Sequence, residues 1–247
     1  MKILRTYTLA LLVFLWMPLA VLLFKGLSFT AFEKLLNSSD ILSSFRNSLL
    51  LAAGTAILTT VLGLVTAFAL PLLTTRMRGW VIGSLLLPLV LPEIAFGIAY
   101  LVWFRILGIP LGWTTLLAAH FAFCFCYVVL VLKSSVSQLD QSLSDAARDL
   151  GANSVAVFRH AVLPQLWPGL IAGAMMAFSL SLDDFLITFF VKGIDQLTLP
   201  IKLYSMMRLR LGVEVYALSV ILFGISVISV VITQLWFIRS QKQKRSS

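Results

Sequence analysis

The sequence predicts an all-α integral membrane protein, a bundle of six transmembrane helices from which one polar helical hairpin projects. Three observations carry this prediction. Of the 247 residues, 60% are hydrophobic and only 12% charged, against about 45–50% apolar and about 25% charged in soluble domains. The apolar residues fall in unbroken runs of roughly 20, the length at which a helix crosses about 30 Å of hydrocarbon, where strands would alternate instead. Between two of these runs lies a polar, helix-capable stretch, DAARDLGANSVAVFRHAVLPQLWPG, at 145–169.

The expected spans are 6–24, 48–73, 80–104, 113–132, 168–190 and 215–238, all within a single domain of 1–247. Lys2 and Arg5 ahead of the first run resemble a secretory signal, but the run 7–24 exceeds the usual signal core of about 7–15 residues and has no A-x-A site, so it is read as a retained span. The second span ends in the turn TTRMRG, carrying Arg76 and Arg78. The third holds Pro88 and Pro92 in LLLPLVLPEI; each proline removes a helical donor, which predicts a kink or interruption beside Glu93 with freed carbonyls able to coordinate a cation, or a bend that serves packing alone.

The fourth span carries His120 and the pair Cys124 and Cys126, whose C-x-C spacing cannot close a good disulfide and reads as buried thiols. The fifth opens with Gly169 and Gly173, a G-x-x-x-G pattern suited to close helix approach, either at a seam with a second subunit or inside the chain. Before the sixth span, LPIKLYSMMRLRLGVE reads as a short amphipathic or re-entrant element.

The net charge of +9 has no single basic face, so it reads as topology signal and lipid headgroup contact, not as a nucleic-acid surface. An even number of spans puts both termini on one side. Lys2, Arg5, Arg76, Arg78 and the tail RSQKQKR favour the cytoplasm, against Lys202, Arg208 and Arg210. The loop at about 140–167 is then cytoplasmic. In it, Asp145 is expected near a helix start with Ser142 or Ser144 as cap, Gly151 in the left-handed region, Asn153 or Ser154 capping a second helix to about Val162, and Pro164 stopping or redirecting that helix.

Ala146, Ala147, Gly151, Leu163 and Pro164 stand in the register E-A-A, three residues, Gly, nine residues, I-x-L-P, with Asp145 in place of Glu and Ala161 in place of Ile. This resembles the cytoplasmic coupling loop of permease subunits in binding-protein-dependent ABC importers. The stretches LPEIAFGIAYL, SLSLDDFLITFFV and LPIKLYSMMRLRLGVEVYALS extend the likeness, over nearly the whole chain, to the permeases of spermidine/putrescine importers.

The resemblance implies the type I permease fold of these importers, a second permease subunit, two ATPase subunits that bind ATP and Mg, a periplasmic binding protein and translocation by alternating access at the inner membrane. It implies no enzyme and no cofactor in this chain, which has no G-x-x-x-x-G-K-[ST] motif. Asp145, Ala146, Ala147, Gly151, Leu163 and Pro164 would couple to the ATPase. Relatives of the same architecture carry other solutes, such as aminophosphonates, metal complexes or sugars.

Three acids lie within expected spans: Glu93, Asp183 and Asp184. Each costs about 2.5–3.5 kcal/mol at a helix centre, which argues that they face protein or water. Glu93 lies 13 residues beyond Trp80, about 20 Å, and Asp183 lies 15 beyond Pro168, about 22 Å, so the acids are expected in one layer that suits ammonium groups. Asp183 and Asp184 point about 100° apart on a helix, so one is expected to line the path and the other to bond a neighbour or cap a break. Tyr100, Trp103 and Phe185 are candidate ammonium-stacking aromatics.

Two rival classes were weighed. An intramembrane enzyme would use the buried acids, but H-E-x-x-H and G-x-G-D are absent. His120 and Cys124 share a helix face without a third metal ligand, and His160 reads as a surface residue. A channel or scaffold would have no use for a coupling hairpin.

Overall fold

The computed structural model describes residues 2–209 and 212–246, and within its helices the side chains of 2–4, 9–10, 209, 229–230 and 233–246 are outside the described set. The charges of Lys2, of Arg210 and of the tail 239–245, on which part of the orientation rests, therefore lie outside the described residues. Every regular element among the described residues is helical.

Helix α1 (Lys2–Gly26) is followed by a short helix α2 (Phe29–Leu36) and the long α3 (Ser39–Ala69). Next come α4 (Thr75–Val90), α5 (Glu93–Ile106) and α6 (Trp113–Ser137). The hairpin is formed by α7 (Gln141–Asp149) and α8 (Ser154–Val157), the latter running through a π turn at Phe158–Val162 into α9 (Leu163–Asp183). The chain ends with α10 (Leu186–Val191), α11 (Leu199–Leu209) and α12 (Val213–Ser246).

Among the described residues four helical stretches are long and apolar enough to cross a membrane: Arg5–Gly26, Ser39–Leu72, Trp113–Ser137 and Ser154–Asp183. The third expected span is interrupted just before Glu93. It is the pair α4 and α5, bent by 112° at Leu91 and Pro92, which would make a fifth crossing if counted together. The prolines explain the severity: Pro92 has no N–H to give the Pro88 carbonyl, and its ring excludes a helical Leu91, whose ψ is 146°.

The centre of the fold is the mutual packing of α3, α6 and α9. Leu51, Ala52, Leu116, Cys124, Val128, Leu132 and Ala177 are buried there. Gly169 and Gly173 belong to this centre: a Cβ at Gly169 would collide with the Ser135 side chain, and one at Gly173 would stand 3.2 Å from Val128 Cγ1. Of the two readings of G-x-x-x-G, the chain's own α6 is the partner.

A second cluster joins α2, the start of α3, α11 and α12 around Leu35, Ile41, Leu199 and Leu218. The stretch before α12 is thus a helix, tied to α3 by Asn47 Nδ2 donating to Leu197 O (3.1 Å), by Leu199 N–H donating to Ser48 Oγ (2.8 Å) and by Lys202 pairing with Asp40 (3.4 Å).

Candidate functional site

The fifth expected span also breaks. Helix α9 ends at Asp183, Asp184 is extended (φ −60°, ψ 122°), and α10 begins two residues later. The break has no proline or glycine to cause it; it is stabilised from outside. Asp184 Oδ1 accepts the Thr188 N–H at 3.0 Å, capping the new helix in the manner of an N-terminal Asp. At the far end of α10, Thr115 Oγ1 donates to the Val191 carbonyl at 2.9 Å.

Helix α5 packs against α10, and Gly97 permits it. A Cβ there would stand 2.7 Å from Phe190 Cδ2 and 3.1 Å from the Leu186 carbonyl, closer than ordinary contact. This approach brings Glu93, at the first turn of α5, to the break in the other helix. Glu93, Asp183 and Asp184 line one cavity of about 310 Å³, with Phe123, Tyr127 and Phe185 among its walls.

The two adjacent aspartates divide because the helix ends between them. Asp183 is exposed in the cavity wall, whereas Asp184 is 6% exposed and is the residue that caps the break. The second carboxylate oxygen of Asp184, Oδ2, is buried and meets no N–H or hydroxyl donor among the described residues, while the Glu93 carboxyl lies within reach of the Asp184 carboxyl. A buried carboxylate oxygen without such a donor is costly, and a cationic donor entering the cavity would relieve that cost.

Other expectations are refined or corrected here. The Pro88 carbonyl freed by Pro92 already accepts one hydrogen bond within the chain, from Tyr127 Oη at 3.2 Å. Of the three candidate aromatics only Phe185 lines the cavity; Tyr100 packs between Phe96 and Phe104, and Trp103 is 57% exposed elsewhere. Phe123 and Tyr127 were missed, although their four-residue spacing on α6 puts them on one face with each other, their rings 5.3 Å apart. Gly97 was missed as well, because its need for space comes from α10, some 90 residues away in sequence.

His120 and Cys124 form no metal site: among the described residues no three metal-ligating side chains gather. His120 is buried, with Nδ1 2.7 Å from Ser181 Oγ and Nε2 2.9 Å from Thr188 Oγ1. Cys124 is a buried free thiol directed at the Ala177 carbonyl, and Cys126 is also free.

The hairpin forms a separate polar feature. Helix α7 starts earlier than expected, at Gln141, and its cap is Asp140, whose Oδ1 accepts the Ser142 N–H at 2.9 Å; Ser142 and Ser144 do not cap it. Asp145 therefore sits inside the helix and pairs with Arg148 at 3.0 Å on the exposed surface. Gly151 takes φ +83° and ends α7, and Asn153 Oδ1 caps α8 by accepting the Ala156 N–H at 2.9 Å.

Pro164 does not stop the second helix. The π turn gives the Leu163 N–H the Phe158 carbonyl and delivers Pro164 to the first turn of α9, where a missing N–H costs nothing, so the helix runs unbroken from Ser154 to Asp183. Gln165, also missed, ties the hairpin's base: its Oε1 accepts the Asp140 N–H (3.0 Å) and its Nε2 donates to the Ala161 carbonyl (2.8 Å). Leu150 and Val155 are 89% and 75% exposed at the tip, leaving an apolar end on a polar support, while Ala146 and Ala147 keep the helix surface beside it small.

Comparison with known proteins gives the following. Residues 78–243 match the family described as binding-protein-dependent transport system inner membrane component. The spermidine/putrescine transport system permease protein PotC of Haemophilus influenzae is 34% identical over 211 residues, which cover 85% of this chain and 82% of that protein. PotC of Escherichia coli K12 is 33% identical over 238 residues, covering 92% and 90%. Among solved structures, a chain of a bacterial ABC transporter involved in the import of the acidic polysaccharide alginate superposes with a TM-score of 0.75 at 16% identity, covering 96% of each chain; that likeness is one of fold.

Proposed function

We propose, from the premise that the chain belongs to the family of inner-membrane components of binding-protein-dependent transport systems, that it is a permease subunit of an ATP-driven importer whose solute is a polyamine of the spermidine/putrescine class. The family is one of transport permeases, not enzymes. The observation that carries the solute is the break between α9 and α10. It collects three carboxylates on one cavity and leaves one buried carboxylate oxygen without an N–H or hydroxyl donor among the described residues. Flexible chains of methylenes and ammonium groups match acids interleaved with Phe123, Tyr127 and Phe185, which offer cation–π faces. The identity of about a third to two spermidine/putrescine permeases points the same way. An acidic polysaccharide, the solute of the fold relative, would be repelled by the same acids.

In this reading a second permease completes the path, two ATPases bind ATP and Mg, and a periplasmic binding protein delivers the solute. The chain itself needs no cofactor. The tip of the hairpin seats in an ATPase through Leu150 and Val155, and nucleotide-driven approach of the two ATPases swings the continuous Ser154–Asp183 helix, whose far end is the acid site. Motion at the hairpin thus reaches the cavity through one continuous helix. Both termini and the hairpin face the cytoplasm, the outer faces of the helices meet lipid, and the basic residues serve topology and headgroups, with no role for nucleic acid.

The test is uptake of labelled spermidine by the reconstituted importer carrying Glu93→Gln, Asp183→Asn and Asp184→Asn together. Losing charged hydrogen bonds to an ammonium group should cut uptake by about 10-fold or more while complex assembly persists. Unchanged uptake kinetics would remove the polyamine.

A further inference from the structure

We propose that His120 is the positioning residue of the acid site: its imidazole clamps the two sides of the α9–α10 break and so sets where the Asp183 and Asp184 carboxylates stand for an ammonium group. This rests on the polyamine reading above.

The clamp is visible atom by atom. Ser181 lies two residues before Asp183 and Thr188 lies four after Asp184, and His120 on α6 touches both, at 2.7 Å and 2.9 Å. All three side chains are buried, at 2%, 3% and 0% exposure. An unbroken helix would hold Ser181 and Thr188 in register through its own backbone bonds. Here those bonds are missing, and a side chain from another helix supplies the link.

Each ring nitrogen of His120 meets one hydroxyl: Nδ1 that of Ser181, which also lies 3.4 Å from Thr55 Oγ1 on α3, and Nε2 that of Thr188. A neutral ring donates to one hydroxyl and accepts from the other, so either tautomer satisfies the clamp.

The consequence falls on Asp184. The Thr188 side chain is held by His120 while the Thr188 N–H donates to Asp184 Oδ1. One carboxylate oxygen is thereby committed to the backbone, and Oδ2 is the one left without an N–H or hydroxyl donor among the described residues. Without the imidazole, Thr188 gains the freedom to turn, and the geometry that separates a capping oxygen from a free one is lost.

The experiment compares His120→Ala, His120→Asn and His120→Gln in the complete reconstituted importer, reading spermidine uptake and binding-protein-stimulated ATP hydrolysis on the same vesicles. Alanine should lower uptake per ATP hydrolysed by about 10-fold and raise the spermidine concentration for half-maximal uptake, as loss of buried hydrogen-bond partners would. Glutamine, whose side-chain amide reaches the Nε2 position and can donate to or accept from Thr188, should recover most of this; asparagine, which reaches only the Nδ1 position, should recover less.

A merely architectural histidine would lower assembled complex and ATPase together, leaving uptake per ATP and half-saturation unchanged, and that result overturns the proposal. Should His120→Ala fail to assemble, Thr188→Val decides in its place: a loss of uptake per ATP supports the clamp, and wild-type behaviour overturns it. The acid triple variant runs alongside. If it transports normally, the polyamine reading fails and the clamp's role with it; if it fails while every His120 variant transports normally, only the clamp is wrong.

Discussion

The hairpin and the broken helix are both polar interruptions of an apolar chain, and they are built in opposite ways. In the hairpin the capping and pairing side chains find partners within a few residues, Asp140 with Ser142, Asp145 with Arg148 and Asn153 with Ala156, while Gln165 at the base reaches further, to Asp140. At the break one cap is local, Asp184 on Thr188, but the other partners come from elsewhere in the chain, His120 to Ser181 and Thr188 and Gly97 to Phe190, as does Tyr127 to Pro88 at the adjoining elbow. The hairpin is therefore a self-supporting piece that can be pushed as a unit, whereas the acid site exists only while α5, α6, α9 and α10 stay together. A transporter needs both: a stiff handle, and a site whose parts separate when the handle moves.

The largest effect should come from filling the closest packing at the break. Gly97→Leu inserts a side chain where even a Cβ meets Phe190 and the Leu186 carbonyl. Overpacking of this kind costs about 1–3 kcal/mol and here also separates Glu93 from the aspartates. Uptake should be abolished, with a lowered melting temperature of the purified complex. Gly83→Ala on α4, where nothing lies within 4 Å of the added carbon, is the matched control and should transport normally.

Next in size is Gly151→Val, which attacks the hairpin without a clash. Nothing lies within 4 Å of a Cβ there, so the whole penalty is the left-handed backbone, about 1–2 kcal/mol for an ordinary residue. Expression and assembly should persist while ATP hydrolysis loses its coupling to uptake. Gly151→Asn, which tolerates that conformation, should be nearly normal. Equal damage from valine and asparagine would mean that the side chain, not the turn, is what matters.

This contrast also explains what could be read in the sequence. Gly151, the Asn153 cap and the two prolines flanking the elbow are local signals, and the helical character, the apolar runs and the hairpin were all legible from them. Errors came where distance along the chain was needed. Pro164 looked like a stop because the π turn that absorbs it has no simple sequence signature. The break after Asp183, which has no proline to cause it, depends on partners on other helices. Glu93, Asp183 and Asp184 were legible as a layer because charge in a membrane is expensive wherever it stands, but Gly97, His120 and Tyr127 acquire their roles only from the packing around them.

A smaller effect separates the elbow from the break it adjoins. Tyr127→Phe keeps the ring in the cavity wall and removes only the donor to the Pro88 carbonyl, a change of about 1 kcal/mol. Uptake should fall a few-fold, and hydrogen exchange at amides 89–91 should quicken while amides in α10 keep their protection. If α10 loosens equally, the two breaks form one unit and the distinction between them is wrong.

The smallest effect is a pH response confined to the hairpin. Asp140 is held below the usual carboxylate range, first by the Ser142 hydroxyl donating to it and then by the Ser142 N–H. Because the folded value is depressed, the cap's contribution is complete above a pH of about 4, the ordinary aspartate value, and is lost as the pH falls through the lower folded one. Hydrogen exchange of the intact complex, corrected for the intrinsic rate at each pH, should show the Ser142 amide losing protection on acidification while the Ala156 amide, capped by the uncharged Asn153, keeps it. In Asp140→Asn the Ser142 amide should lose its pH response and retain part of its protection, since a neutral amide oxygen still accepts the bond. Parallel loss at both amides would mean that the hairpin opens as a whole, and that its two caps do not act as independent local devices.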